Sequence, residues 1–398
     1  MDSATTQLQR IYQDTVNMLR THSYNQEHAN SLFKGPWGAL LFLFYYEQYT
    51  NTQADHAADL LEEIYAAYTP SATGDYSLCE GHTGPFWLLA HGSKHDLFGI
   101  DLDQLVEVIP TVIRHSDQHI THRHFDFLYG STGMCHFLLN FPQRPDVASH
   151  LQRFAQGIQS ISETTANGRS LPLFYTQEDA PGRYLNAFSL AHGSCAVLII
   201  LAKIYQAGIA QSLCRALITE SITFIMFHRN KGNSAQALYP GILDGKYFDS
   251  RLAWCYGDLN VAMALWHCGK ALSEERWQTE ALDIMLYNLH RNTPEAAGIV
   301  DNCLCHGSAG VAAFYRKFWF ETNDRAFYQG AEHWHQVALD QLSFAPTPGI
   351  YGTKVWQGTE EEWMYAWDLL NGSCGVGLSL LSQLHEQLLA WDECLLLS

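Results

Sequence analysis

Apolar stretches of helical length alternate along this chain with amphipathic ones. The amphipathic stretches carry apolar residues every three or four positions, as at Leu151, Phe154, Ile158 and Ile161. This spacing predicts helices with one buried face and one face in water. The apolar stretches, such as 39–46 and 197–205, have no polar face, which predicts helices that are buried all round.

Seven short turns with the theme Gly-x-x-Gly precede the apolar stretches. Their first glycines are Gly35, Gly81, Gly130, Gly193, Gly257, Gly307 and Gly372. The fourth and fifth copies carry Ala196 and Asn260 in place of the second glycine. Repetition of this kind is typical of repeat architectures. The first glycine can adopt a positive φ, and the second lets helices approach closely.

The repeat predicts an all-α fold built from seven helical hairpins. Such hairpins can form an open solenoid or a closed α/α toroid. We expect the toroid, a double ring of seven inner and seven outer helices, because the terminal apolar helices lack the polar caps of open arrays. We also expect a single domain over residues 1–398, with long loops at 162–188, 231–250 and 344–362. Long loops in a compact domain are usually functional, and the alternative is surface insertions without a role.

Composition and charge narrow the class of protein. The 398 residues are 47% hydrophobic and 13% aromatic, which is typical of a folded globular chain. The formal net charge of −18 argues against a nucleic-acid partner, because phosphate binding needs Lys and Arg. Neither a signal peptide nor an apolar run of membrane-spanning length is visible. We therefore expect a cytoplasmic protein without an integral membrane segment, whose cysteines are mostly reduced.

Three soft metal ligands lie in two of the glycine turns. Cys305 and His306 immediately precede Gly307, and Cys255 lies two residues before Gly257. Catalytic Zn²⁺ sites use three such ligands and keep a fourth position open. The three residues therefore form a candidate Cys2His zinc site. Two alternatives stay open: Cys303 in place of Cys305, or cysteines that are ordinary core residues beside a helix-capping histidine.

Other polar residues near the turns are candidates for catalysis. His192 occupies the place in the fourth turn that His306 has in the sixth, and could transfer a proton. Asp126 precedes the third turn and could orient a histidine or neutralise a cation. Arg251, four residues before Cys255, could stabilise a developing enolate by hydrogen bonds. The alternatives are a core histidine, a solvated aspartate and a loop salt bridge.

A histidine-rich tract is a rival metal site. It comprises His115, His119, His122 and His124, of which the first three would share one face of a helix. The tract holds no cysteine and does not lie on a glycine turn. We therefore expect it to be a polar helix end that runs into a loop.

Three motifs and the seven turns resemble the lanthionine synthetase C-like family, the cyclases of class I lanthipeptide biosynthesis. The motifs are Ala-His-Gly at 191–193, Trp-Cys-Tyr-Gly at 254–257 and Cys-His-Gly-Ser-Ala-Gly at 305–310. The repeats cover nearly the whole chain. Its departures from the family pattern are Ala196 and the Gly-Asp-Leu-Asn sequence of the fifth turn.

The resemblance implies an enzyme that adds a peptide cysteine to dehydroalanine or dehydrobutyrine, which forms a (methyl)lanthionine thioether ring. It implies one Zn²⁺ held by Cys255, Cys305 and His306. The implied partner is a dehydrated precursor peptide, alongside a lanthipeptide dehydratase and a transporter in one complex. We expect a monomer, because a closed toroid has no obligatory interface.

The resemblance also assigns family positions to four further residues. His192 matches the proposed acid/base histidine, and Asp126 an aspartate ahead of the third turn. Arg251 matches an arginine ahead of the Cys-Tyr-Gly motif, and Tyr256 is the tyrosine within that motif.

The main alternative function is a zinc-bearing protein of the same fold that binds thiols such as glutathione, or acts as a scaffold, without cyclase activity. A toroid glycosidase would need a pair of carboxylates, whereas these turns carry Cys and His. A zinc-dependent prenyltransferase would present Asp, Cys and His ligands, which does not match two cysteines and an adjacent histidine.

Overall fold

A computed structural model describes residues 3–50, 52, 54–100, 102–175, 183–231, 236–243, 249–358 and 362–398. The chain forms two compact units. The first unit consists of Met1–Asp75, Cys79–Leu105 and Ile299–Ser398, and the second of Tyr76–Leu78 and Val106–Gly298.

Helices dominate both units. In chain order they are α1 (Ser3–Arg20), α2 (Pro36–Tyr49), α3 (His56–Ala67), α4 (Thr83–Lys94), α5 (Leu102–Thr121), α6 (Ser131–Leu138), α7 (Pro145–Ile161), α8 (Ser194–Gln206), α9 (Gln211–Phe227), α10 (Asp258–Leu272), α11 (Glu275–Asn288), α12 (Pro294–Ala297), α13 (Ser308–Thr322), α14 (Arg325–Asp340) and α15 (Ser373–Gln383). Short 3-10 helices cover Gln26–His28 and Ala390–Leu395.

The helices alternate in character as the sequence predicts. The helices that follow a glycine turn are buried along most of their length: α2, α4, α6, α8, α10, α13 and α15. Their hairpin partners bury mainly one face, as α7 and α14 do. The predicted all-α fold class with seven helical hairpins is confirmed.

Each unit has its own core. In the first unit α2 packs against α1, α3, α4 and α15, and α13 packs against α14 and α15. In the second unit α8 packs against α6, α9 and α10, and α10 also packs against α11. Fully buried tryptophans fill both cores: Trp37, Trp334 and Trp391 in the first and Trp254 in the second.

The turn glycines are needed for space more than for conformation. Gly35 and Gly193 have extended backbones, with φ of −130° and −144° and ψ of −169° and −171°. A Cβ on Gly35 would lie 1.9 Å from the His28 carbonyl oxygen, and one on Gly193 would lie 2.2 Å from that of Ala187. The positive φ that glycine permits is therefore not adopted at these two turns. Gly257 has one, at +95°.

The second glycine of a turn is equally crowded at Gly38, Gly133, Gly310 and Gly375, which predicts a stability effect. A Cβ on Gly38 would lie 2.2 Å from the Leu32 carbonyl oxygen and 2.6 Å from the Leu369 Cβ. We expect Gly38→Ala to lower the free energy of unfolding by about 1–3 kcal/mol through overpacking. Gly99→Ala is the matched control, because no atom lies within 4 Å of its Cβ. Equal denaturant midpoints for the two variants would contradict this explanation.

Short strands replace part of the predicted loops. The segment 162–188 contains β1 (Glu163–Thr165), β2 (Gly168–Ser170), β3 (Leu173–Tyr175) and β4 (Arg183–Leu185), and 344–362 overlaps β5 (Thr353–Trp356), which precedes β6 (Trp363–Ala366). They pair as three antiparallel hairpins, β1–β2, β3–β4 and β5–β6. Strands of three or four residues are too short for a clear alternating pattern. Parts of these segments, at 176–182, 232–235, 244–248 and 359–361, lie outside the described residues.

The β5–β6 hairpin packs against the sixth glycine turn, which lies in the first unit. Val355 and Ala366 form a buried cluster with Cys303, and the half-buried Cys305 packs against it. The backbone N–H of Trp356 donates to Asp301 Oδ2 at 2.9 Å.

Within the described chain, no helix is both long and apolar enough to span a membrane.

Candidate active site

A buried histidine–aspartate pair joins the third and fourth glycine turns, which both lie in the second unit. His192 Nδ1 lies 2.7 Å from Asp126 Oδ2, and the two side chains are 8% and 2% exposed. A carboxylate can only accept, so Nδ1 carries the proton and donates it to Asp126. The pair thereby fixes the tautomer and the orientation of the imidazole ring.

Asp126 also shapes its own turn. Its Oδ1 accepts the backbone N–H of Tyr129 at 2.8 Å. The seventh turn repeats this bond, since Asp368 Oδ1 accepts the N–H of Asn371 at 2.7 Å. Burial raises the pKa of Asp368 to about 6. One oxygen of Asp126 thus accepts a backbone hydrogen bond within its own turn, as Asp368 does in the seventh turn, while the other oxygen holds His192.

Two tyrosine rings lie beside His192. The Tyr129 ring is nearly parallel to the imidazole, with centroids 6.1 Å apart and an interplanar angle of 8°. The Tyr256 ring is 6.3 Å away and tilted by 36°. The structure therefore brings three of the predicted residues, His192, Asp126 and Tyr256, to one place in the second unit.

Side-chain hydrogen bonds tie the fourth turn to the fifth. Ser189 Oγ accepts the backbone N–H of His192 at 2.8 Å and donates to the carbonyl oxygen of Cys255. Asn260 Oδ1 accepts the N–H of Leu190 at 2.6 Å, and its Nδ2 donates to the Ala253 carbonyl at 2.8 Å. This buried amide explains why the fifth turn has Asn in place of the second glycine.

Asn260 and Ser189 are the residues of this region that sequence reasoning missed as positioning residues. For Asn260 the available signal was a polar residue at a repeat position where the other copies carry Gly or Ala. Because buried polar groups need partners, such a residue predicts a hydrogen bond to a neighbouring turn. The partner itself could not be read from one sequence.

Arg251 and Cys255 lie in the loop that leads into the fifth turn. Both are half-buried. The backbone beside Arg251 is held by a 2.8 Å bond from the Leu252 N–H to the Ala297 carbonyl. A Cβ on Gly298 would lie 2.9 Å from the Arg251 Cβ. A role of Arg251 toward a substrate stays a prediction.

The sixth turn groups a carboxylate, a thiol and an imidazole in the first unit. The ligand atoms of Asp301, Cys303 and His306 all lie within 4.8 Å of one another. His306 Nε2 lies 3.4 Å from Asp301 Oδ2, and the backbone N–H of His306 donates to the Cys303 sulfur at 3.3 Å. Asp301 also accepts the Cys303 N–H at 3.1 Å. Asp301 is a further residue that the sequence did not single out.

The charges of this turn favour the protonated form of the His306 ring. Burial alone would lower the pKa of His306, but the Cys303 sulfur and the Asp301 carboxylate outweigh it and raise that pKa to about 11. Burial would raise the pKa of Asp301, yet the 3.4 Å contact with His306 and the hydrogen bonds from the backbone lower it. Negative charge is thus concentrated beside the imidazole.

The donor atoms of the sixth turn fit a zinc ion. His306 Nε2 is buried and has no hydrogen-bond partner among the described residues. The adjacent Cys305 thiol is half-buried, whereas Cys303 is fully buried. A soft thiol beside an unsatisfied imidazole nitrogen is the donor chemistry that Zn²⁺ prefers. Two local choices therefore remain for the thiolate of this turn, Cys305 and Cys303.

The histidine tract does not bring three of its side chains together at one point. His115 stacks on Tyr76 with centroids 4.1 Å apart. His119 Nδ1 and His124 Nδ1 lie 2.9 Å from each other, while His122 lies beyond the end of α5 and its Nδ1 is 2.8 Å from the Gln118 carbonyl oxygen. Within the described chain, the groups of three ligands that converge lie elsewhere.

Comparisons with known proteins identify a family and a fold. A family model described as "Lanthionine synthetase C-like protein" matches residues 26–396. The solved structure of nisin cyclase is similar, with a TM-score of 0.72 and 18% identity over 98% of each chain. At this identity the likeness shows the fold, and it confirms the predicted α/α toroid.

Two other results carry no functional argument. A sugar epimerase from a ruminal bacterium matches with a TM-score of 0.43 and 8% identity, over 96% of this chain and 100% of that chain. This score is too low for structural reasoning. A comparison with curated protein sequences gives no match.

Proposed function

Because this chain belongs to the lanthionine synthetase C-like protein family, we propose that it is a lanthipeptide cyclase. The proposed reaction adds a peptide cysteine thiol to the β-carbon of dehydroalanine or dehydrobutyrine in the same peptide. The observation that carries this proposal is the buried pair His192–Asp126, a positioned acid/base group on a glycine turn. The structural likeness to nisin cyclase supports it.

The proposed ligand set for Zn²⁺ is the one indicated by the sequence motifs: Cys255, Cys305 and His306. The support from the structure lies within the sixth turn, in the unsatisfied His306 Nε2 and the half-buried Cys305. A zinc ion bound by these residues would lower the pKa of the substrate thiol, so that a thiolate would be available at neutral pH.

His192 is proposed to move the proton that the addition requires. The thiol loses a proton before its sulfur attacks, and the enolate that forms needs a proton at Cα. His192 Nε2, across the ring from the atom held by Asp126, is the atom we assign to this transfer. The Asp126 carboxylate stabilises the imidazolium while the ring carries the extra proton. The thiol proton ends on Cα, so the peptide keeps its mass.

Arg251 and Tyr256 are proposed to act on the substrate. A guanidinium can hydrogen-bond the developing enolate oxygen and stabilise its charge. Tyr256 lies beside His192 and is half-buried, so its ring can line the substrate side of the pair. The proposed partner is a dehydrated precursor peptide, and the protein is proposed to work as a cytoplasmic monomer that can join a dehydratase and a transporter.

The test uses a synthetic peptide that holds one dehydroalanine and one cysteine. Cyclisation leaves the mass unchanged but removes the free thiol, so the product no longer gains mass on alkylation with iodoacetamide. We expect the enzyme to accelerate this loss by at least about 10²-fold over the peptide alone. A rate equal to that of the uncatalysed reaction would contradict the proposal. Binding of glutathione without cyclisation would then favour the thiol-binding alternative.

A further inference from the structure

A second cluster of metal-ligating side chains lies in the first unit, at the end of α4. His91 and His95 are four residues apart on the last turn of this helix and its cap, so they share one face. Glu393, from the 3-10 helix Ala390–Leu395, reaches both. Its Oε2 lies 3.1 Å from His91 Nδ1 and its Oε1 lies 3.2 Å from His95 Nε2.

The two rings are held in position by their neighbours. Tyr45 Oη lies 2.9 Å from His91 Nε2, so the outer nitrogen of this ring has its own partner. The Trp87 ring stacks on His91 with centroids 4.6 Å apart. Metal-ligating histidines usually have such a hydrogen bond on the nitrogen that does not bind the metal. His91 is therefore oriented with Nδ1 toward Glu393.

One donor of the cluster is unsatisfied. His95 Nε2 is buried and has no hydrogen-bond partner among the described residues, because its contact with Glu393 lacks hydrogen-bond geometry. The three ligand atoms of His91, His95 and Glu393 lie within 4.8 Å of one another. Ligands about 2.0–2.2 Å from one ion are separated by distances in this range. Two imidazoles and a carboxylate form a known donor set for zinc.

We propose that His91, His95 and Glu393 bind a divalent transition-metal ion, with Zn²⁺ as the test case. The ion would join α4 to the C-terminal 3-10 helix, since His91 and Glu393 are 302 positions apart in the sequence, and would so have a structural role. Lys94 is the competing cation, since its Nζ lies 2.8 Å from Glu393 Oε1. Its side chain is 53% exposed, so it can rotate away from Glu393 into the solvent when the metal binds.

The experiment separates this site from the proposed thiolate site. The Cys255→Ala/Cys305→Ala variant of the full chain is stripped of metal with a chelator and titrated with Zn²⁺ by calorimetry. We expect one equivalent to bind, and saturation at about 100 times Kd to raise Tm by about 3 °C. The Co²⁺ form should lack a thiolate charge-transfer band. Absence of binding below millimolar Zn²⁺ would overturn the proposal.

Three variants in the same background test the ligands. Adding His95→Gln should weaken Zn²⁺ binding by about 100-fold or more, because one of three ligands is lost. Adding Lys94→Gln should tighten it by about 2–5-fold, because the ammonium no longer competes for Glu393. The control His333→Gln removes an exposed histidine from α14. Equal weakening by His333→Gln and His95→Gln would show scattered surface binding, and weaker binding by Lys94→Gln would exclude Glu393 as a ligand.

Discussion

Replacing Cys305 by alanine is expected to remove zinc and cyclisation together. The substitution takes away one of the two thiolates in the proposed Cys2His set, and the remaining cysteine and histidine hold the ion weakly. We expect the metal that depends on this site to fall from about one ion per chain to near none. The rate of thioether formation should fall by on the order of 10³-fold. Metal analysis by mass spectrometry and the iodoacetamide assay measure the two effects on one preparation.

Cys303→Ala is the matched control for this prediction. Cys303 lies two residues away, is fully buried, and has a thiol pKa that burial raises. Its loss should reduce stability through a small cavity but leave zinc in place. The reverse outcome, with zinc lost in Cys303→Ala and kept in Cys305→Ala, would move the site to Asp301, Cys303 and His306. Cys255→Ala completes the test, because full zinc in that variant excludes Cys255 as a ligand.

Replacing His192 by asparagine is expected to separate catalysis from metal binding. The variant should keep its zinc, since His192 is not among the proposed ligands, and should form thioether about 10²–10⁴-fold more slowly through the loss of proton transfer. Asp126→Asn should also be slow, by about 10²-fold or more, because an amide does not stabilise the imidazolium as a carboxylate does. Full activity in either variant would remove the corresponding role.

The seventh turn provides the control for Asp126→Asn. Asp368 accepts the same kind of turn hydrogen bond from Asn371 that Asp126 accepts from Tyr129. Asp368→Asn alters this turn device without touching the pair of His192 and Asp126. We expect it to leave the rate of thioether formation unchanged. If both substitutions lower the rate equally, the effect of Asp126→Asn comes from a damaged turn and not from proton transfer.

The helical part of the fold was predictable because it rests on periodicity. Apolar runs such as 197–205 require burial on all sides, and α8 is buried almost throughout. The conformation of the turns was not predictable from residue type. Glycine suggests a positive φ, yet at Gly193 it is the nearby Ala187 carbonyl that excludes a side chain. That atom belongs to the loop before the turn, and its approach is a property of the folded backbone.

The site was predictable in its parts and not in its pairings. A histidine on a glycine turn pointed to His192, and an aspartate ahead of the third turn was a possible partner. Their 2.7 Å contact depends on the packing of successive hairpins, which periodicity does not specify. The choice between Cys303 and Cys305 was equally open, since two residues of sequence separation do not determine which thiol is buried.

The crowding at the turn glycines makes a forecast about mutational tolerance. Helix positions can exchange one apolar side chain for another of similar volume at modest cost. Positions such as Gly35, Gly38, Gly307 and Gly310 leave no room for even a methyl group beside a backbone atom. A saturation mutagenesis map of this protein should therefore show intolerant glycine positions that recur with each hairpin, separated by helix positions that accept substitutions. Related sequences that vary freely at other positions are expected to keep these glycines, because the fold depends on them.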